Sequence, residues 1–217
     1  MQTLFLDLAS HAGLLACVTN ERVAASSLID HRIDDAALVP QVEDLLLKTG
    51  WSYPDLTHIA CVVGPGGFTS LRVAVALSNA LSHALKIPSA GIHLSDVYCA
   101  RTPPPPSPLP HASLRSARER GSIWLHSTKK HELFIRGFGA LAKEFSEPEC
   151  VKVEDLQKKL TAGMQWIGEL IPEHQKIIDD LGLQPALLRP VEEILPEFLG
   201  QQSYAKQILV PWYGRGW

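Results

Sequence analysis

The stretch Cys61-Val-Val-Gly64-Pro65-Gly66-Gly67-Phe68-Thr69-Ser70-Leu71-Arg72 decides how the rest of the chain is read. An apolar run meets three glycines and a proline, then passes straight into a helical sequence. The pattern predicts a strand over Thr57–Val63 and a helix over about Thr69–Leu85, joined by a tight turn. Such a turn forms a backbone nest beside the positive end of a helix, a common place for phosphate. The specific phosphate motifs are not met. A Walker loop needs a lysine, and none lies in this turn; the dinucleotide fingerprint needs a third glycine where the chain has Thr69. The plainer expectation is a turn made possible by glycine, with Thr69 capping the helix.

Upstream, Thr3–Leu8 is nearly all apolar, as a strand covered on both faces is. Ser10-His11-Ala12-Gly13 makes a turn, and Leu14–Thr19 and Arg22–Ile29 complete an antiparallel meander. Asp34 and Asp35 offer caps for a helix to about Lys48, bent at Pro40 and closed by Gly50. Leu38, Val42, Leu45 and Leu46 share one face of it. Downstream, Lys86-Ile-Pro88 ends the second helix and Ala90–His93 is a short strand. Six prolines within residues 103–110 then exclude ladder and helix interior alike. The chain accordingly divides into a first lobe over residues 1–100, a Pro-rich linker or loop over 101–120, and a smaller, divergent lobe over 121–217. There Ser122–Ser127 and Glu132–Phe138 read as a hairpin, Val153–Leu160 and Glu173–Leu181 as helices, Met164–Gly168 and Pro185–Leu188 as strands. Three strands, helix, strand, helix thus recur in part, predicting two related α/β halves.

Composition narrows the function classes. With 217 residues, 46% apolar and 20% charged, the chain can bury a core without disulfide or metal. A net charge of −3 gives no general attraction to nucleic acid or anionic membrane. The N-terminus lacks the basic start and apolar run of a signal peptide, and no run reaches membrane-helix length. Cys17, Cys61, Cys99 and Cys150 form no CxxC pair, and the nine histidines include no HxxxH pair. The expectation is a cytoplasmic protein with reduced cysteines and no metal of its own.

The helix behind the glycine turn is unusual in composition. Val73–Leu85 contains no Lys, Arg, Asp or Glu, whereas a surface helix normally shows a charged face. Leu77, Leu81 and Leu85 can pack on the sheet, and the alanines and serines between them let another backbone approach. In the preceding helix Leu45, Leu46 and Leu47 cannot all point one way. Either another protein chain or the second half of this one covers these helices. The candidate partner interface is Leu38, Val39, Val42 and Leu46 with Val75, Ser78, Asn79 and Ser82. Asp7, at a strand end, is a candidate magnesium-associated carboxylate, although a lone Asp there is commonly a turn former. His11, His58, His83 and His131 have no partner that sequence can place.

These residues carry a resemblance. Asp7 after the first strand, Val42-Glu-Asp-Leu-Leu46, and above all Val63-Gly-Pro-Gly-Gly-Phe-Thr-Ser-Leu-Arg-Val73 resemble the TsaB (YeaZ) family. That family shows G-P-G-S-F-T-G-L-R there, then a small-residue helix and an Ile-Pro such as Ile87-Pro88. Pro211-Trp-Tyr213-Gly-Arg215 is similar to its closing P-x-Y-x-R. The match is firm over roughly residues 1–98 and loose over 122–200. The resemblance implies an actin- and hexokinase-like (ASKHA) two-lobed α/β fold, with mixed sheets flanked by helices. It implies a non-catalytic subunit in threonylcarbamoyl modification of adenosine 37 of ANN-decoding tRNAs, without catalytic residues or cofactor of its own. Its partner would be a TsaD-like transferase bound through the two helices, joined by a TsaE-like ATPase, with tRNA met only through the complex. Alone, the chain would self-pair. Gly64, Pro65, Gly66, Gly67, Phe68, Thr69 and Arg72 form the family's motif turn. Departures are Asp7-Leu8-Ala9 for Asp-Thr-[Ser/Ala], Gly67 for Ser and Ser70 for Gly. In the second half Ser127-Thr-Lys-Lys-His-Glu-Leu-Phe134 is far from D-A-R-x-x-E-V-Y. The alternative is a small-molecule kinase or ATPase of this fold using Asp7 and the Gly64–Gly67 turn. A peptidase has no motif in its favour.

Overall fold

The computed structural model describes residues 1–30, 35–103 and 121–214; the Pro-rich linker expected over 101–120 lies almost wholly outside them. Two units form, one from Met1–Leu94 with Pro190–Tyr213, the other essentially Ser95–Arg189.

In the first unit β1 (Gln2–Asp7), β2 (Ala12–Thr19) and β3 (Val23–Asp30) make the antiparallel meander, followed by α1 (Asp35–Thr49). Then β4 (His58–Gly64), α2 (Phe68–Leu85) and β5 (Ser89–His93) form a βαβ unit. The sheet order is β3-β2-β1-β4-β5, with β1 parallel to β4. Central strands β1 and β4 are buried on both faces, which is why they read as apolar runs rather than alternations. Leu4, Leu6, Leu15, Cys17, Ile59 and Cys61 point to the face covered by α1 and α2. There Leu38, Val42, Leu45 and Leu46 of α1 and Ala74 and Val75 of α2 close one core. Each large side chain so buried contributes roughly 1.5–3 kcal/mol. The helix runs through Pro40 and ends at Gly50, whose φ of 71° suits glycine.

The second unit repeats the plan. β6 (Ser122–Lys129) and β7 (Glu132–Phe138) form the expected hairpin, and β8 (Glu149–Lys152) adds to it. After a short α4 (Leu156–Lys159), β9 (Gln165–Glu169) runs parallel to β6 and α5 (Pro172–Asp180) crosses to β10 (Gln184–Pro185). The order β8-β7-β6-β9-β10 is that of the first sheet with each strand replaced by its counterpart. Ile123, Leu125, Leu133, Ile135, Trp166 and Ile178 hold its core.

One boundary is corrected. The division at 121–217 places the whole C-terminus in the second lobe, yet Pro190–Tyr213 belongs to the first unit. The cause is α6 (Val191–Gly200), which packs Ile194, Leu195, Phe198 and Leu199 away from solvent, in contact with β2 and β3. The segment after it carries Leu209 into the α1–α2 core. Sequence reading also missed α3 (Leu94–Arg101), which has no clear apolar stripe. Among the described residues no helix is long and apolar enough to cross a membrane.

Candidate functional site

Two features of the first unit define the site: the glycine turn at the end of β4, and the outward faces of α1 and α2.

The turn is shaped by what lies against it. Gly64 has φ 142°, and a Cβ there would sit 2.1 Å from the Trp212 carbonyl oxygen. A Cβ on Gly66 would sit 2.7 Å from Ala9 Cα. Glycine is therefore required at both positions by backbone approach. The C-terminal segment reaches the turn by donating the Trp212 N–H to the Val63 carbonyl at 2.7 Å. Trp212 packs edge-on against His93 at 4.6 Å, and Tyr213 lies 5.0 Å from the Phe68 ring. The Arg72 guanidinium sits 5.1 Å over the other partner of that pair, Phe68. The two stretches that carry the family resemblance, 63–73 and 211–215, thus meet through their described residues. Sequence reading gave no sign of that meeting, because they lie some 140 positions apart.

Thr69 does not cap α2. The cap position belongs to Gly67, and Thr69 lies exposed in the first turn. Asp7 Oδ1 accepts from Ala9 N–H at 2.9 Å and Ser10 N–H at 3.1 Å, and Oδ2 accepts from the Ser10 hydroxyl. These bonds make Asp7 the turn former between β1 and β2.

The helix faces correct the expected interface. Leu38, Val42, Leu46, Val75, Ser78 and Ser82 are buried in the chain's own structure. They cannot meet a partner side by side. Asn79 is half-buried, its amide donating to the Leu209 carbonyl at 3.0 Å and accepting from Leu209 N–H at 2.8 Å. Only Val39 points outward, 42% exposed. Of the small residues expected to let another backbone approach, Ser78 and Ser82 are buried within the chain itself, whereas Ala76, Ala80 and Ala84 face outward. Ser78 lets α2 settle onto its own β4, with its hydroxyl beside the Cys61 thiol.

What faces out instead is the other side of each helix. On α2 these are Thr69, Arg72, Ala76, Ala80, His83 and Ala84; half-buried Val73, Leu77 and Leu81 border them, packing against the α1–α2 core. On α1 they include Val39 and Leu47, the latter 75% exposed, with Glu43 between them on the same stripe. The signal that could have found this face was the apolar arc of Leu45–Leu47: two of the three leucines turn in, one turns out.

Burial pushes the Cys61 thiol up to about 12 and that of Cys17 up to about 11, against the contrary pull of Ser78 and Thr49 respectively. Both thiols stay protonated at neutral pH, so a disulfide-exchange reagent should label neither until the chain unfolds. The same shifts set a stability profile. Above about pH 8.5 the unfolded thiols ionise while the folded ones hold their protons, so the unfolded state gains. The contribution of the two thiols is expected to be flat through neutrality and then to fall by about 1.4 kcal/mol per pH unit per thiol, measurable by urea melts from pH 7 to 10.

In the second unit one pair has the outline of catalytic chemistry. Ser127 Oγ lies 2.7 Å from His174 Nδ1, and Nε2 lies 2.9 Å from the Lys130 carbonyl. The carbonyl requires a proton on Nε2, so Nδ1 accepts from the serine, whose oxygen in turn accepts from Ile171 N–H at 3.2 Å. Ser127 is 2% exposed and His174 fully buried. The pair ties α5 to the hairpin of β6 and β7; it presents no nucleophile to a substrate.

Comparison with known proteins now bears on these features. The family model described as TsaD, tRNA N6-adenosine threonylcarbamoyltransferase, matches residues 31–178, more than half of the chain. The tRNA threonylcarbamoyladenosine biosynthesis protein TsaB of Buchnera aphidicola (subsp. Acyrthosiphon pisum) is 24% identical over 127 residues, 57% of this chain and 56% of that protein. The TsaB of Escherichia coli K12 is 28% identical over 92 residues, 42% of this chain and 40% of its own length. The chain thus spans about half the length of the curated relatives it matches. A crystal structure described as an uncharacterized protein with similarity to peptidase YEAZ from Pseudomonas aeruginosa superposes with TM-score 0.69 at 20% identity, covering 99% of both chains. That likeness shows a shared fold, and together with the matched family model and the two mixed sheets flanked by helices it is the ASKHA-type fold. With the matched family model in view, the chain belongs to the family described as TsaD, tRNA N6-adenosine threonylcarbamoyltransferase, and within it the glycine turn and the ending are those of a chain similar to the TsaB proteins.

Proposed function

We propose that this chain acts in the biosynthesis of threonylcarbamoyladenosine on tRNA as a non-catalytic subunit that docks a TsaD-like transferase on the outward faces of α1 and α2. The observation that carries the proposal is the uncharged outer run of α2 from Val73 to Leu81, with Ala76 and Ala80 exposed and Leu77 and Leu81 half-buried. Val39 and Leu47 extend it onto α1. Alanines let a partner helix come close, and the leucines then lose their remaining contact with water. Helices of 15 and 18 residues can supply the roughly 800 Å² per partner of an ordinary interface. A TsaE-like ATPase would join that pair, tRNA would be met through the assembled complex, and the cytoplasm is the compartment this requires. Without its partner, the chain would pair with itself through the same helices.

Co-expression with a tagged TsaD-like subunit tests this. Wild-type chain is expected to co-purify, and Ala80→Glu or Leu47→Glu to be lost from the complex at least tenfold, with thermal midpoints of the isolated chains within a few degrees of wild type. An exposed helical position tolerates glutamate at a cost of about 0.5 kcal/mol, whereas a charge trapped in an interface costs several. Retention of both variants in the complex would remove α1 and α2 as the docking face.

A further inference from the structure

On the flank of α2 opposite the half-buried leucines, a groove of about 460 Å³ lies between the last turns of that helix and the C-terminal segment. His83, Lys86 and Ile87 line one side, Lys206 and Ile208 the other. The polar groups of its floor are already satisfied: the Asn79 amide is held by Leu209, and the Ser82 hydroxyl donates to the Ile87 carbonyl at 2.7 Å. Two ammonium groups, an imidazole and isoleucine side chains are left facing outward, and no carboxylate is among the lining residues. Neither lysine enters an ion pair among the described residues.

Three facts single this groove out. Its local charge is opposite in sign to the chain's net −3. Lys86 holds φ 57°, the one positive φ outside glycine among the described residues. Glycine or asparagine takes such a helix end with less strain, so a lysine here carries a backbone cost. Beside the groove, Ile208 and Val210 are 82% and 71% exposed, outward on either side of buried Leu209.

We propose that this groove binds an acidic, partly aliphatic segment of a partner protein. Its carboxylates would meet Lys86 and Lys206 with His83 beside them, and its aliphatic side chains would lie on Ile87 and Ile208. Charge complementarity selects the segment, and the exposed aliphatic ridge favours peptide over nucleic acid, which a net-negative chain repels. The satisfied floor offers no free donors to orient a small polar ligand. The groove flanks the transferase-docking face without depending on it.

A phage-displayed dodecapeptide library panned on the full chain and counter-panned on Lys86→Glu/Lys206→Glu tests the proposal, with circular dichroism confirming that the double variant is folded. Enriched peptides are expected to combine Asp or Glu with Leu, Ile or Val. Synthesised, they should bind the double variant at least tenfold more weakly than wild type, and lose affinity as salt rises from about 50 to about 300 mM. Lys86→Gly should raise the thermal midpoint yet weaken peptide binding, while Ala80→Glu should leave peptide binding unchanged. Enrichment without acidic bias, no enrichment over the counter-selection, or equal binding by the double variant would overturn the proposal. So would an RNA dodecamer that binds wild type and not the double variant.

Discussion

Ser78→Glu is expected to destabilise the folded chain severely rather than to act on its association with a partner. Ser78 is fully buried, and its hydroxyl faces the Cys61 thiol in the layer between α2 and β4. A glutamate there must carry its carboxylate into the α1–α2 core, where no cation is available among the described core residues. An uncompensated buried charge costs on the order of 3–5 kcal/mol, and the added volume strains a close-packed layer further. Against a total stability of roughly 5–15 kcal/mol, this removes a large share of the folding margin, and all of it at the lower end of that range. Thermal melts and near-UV circular dichroism of the purified variant check it; a native spectrum and a midpoint within a few degrees of wild type would show that Ser78 is not in the core. Ser78→Ala removes only the contact with the thiol and is expected to stay within about 1 kcal/mol of wild type.

Gly64→Ala is expected to cost about 3–5 kcal/mol and to release the C-terminal segment. The new methyl would stand 2.1 Å from the Trp212 carbonyl oxygen and 3.1 Å from its carbon. Backbone on both sides cannot give as a flexible side chain can. The φ of 142° adds strain of about 1–3 kcal/mol for any residue but glycine. Relief requires the segment to leave, breaking the Trp212 bond to Val63, the Trp212–His93 ring contact and the Tyr213–Phe68 ring contact. Limited proteolysis should then cut within residues 205–213, and urea melts should show the lost stability. Gly67→Ala is the control: its nearest neighbour would be Ser70 Oγ at 3.5 Å, so a loss no greater than about 1 kcal/mol is expected. Equal stability of the two variants would mean that the segment does not lie against Gly64.

Much of the first unit was legible because its signals are local. Strands buried on both faces announce themselves as apolar runs, and the glycine turn marks where β4 stops and α2 begins. The family resemblance rested on that turn and on the ending Pro211-Trp-Tyr213-Gly-Arg215, and family membership and fold agree with it. The errors arose where a long-range choice decides. Ser78 and Ser82 look the same in sequence whether they meet a partner or the chain's own strand. Only the rotation of α2 on the sheet decides, and Leu71, Ala74 and Val75 set it by packing inward. α6 was hidden by Pro196, which lies inside it and reads as a breaker. The return of residues 190–213 to the first unit follows from α6 and Leu209, and no local pattern signals it. Ser127 and His174 lie 47 positions apart, so their contact was beyond any spacing rule.

The most direct measurement is calorimetric titration of the purified chain into a purified TsaD-like subunit, comparing wild type with Ala76→Glu, at an exposed position on α2. Binding by wild type, and loss of at least tenfold in affinity by an Ala76→Glu chain whose thermal midpoint is unchanged, is the predicted result. Equal affinities for the two chains, or no heat of association with wild type, would contradict a subunit that docks its transferase on these helices.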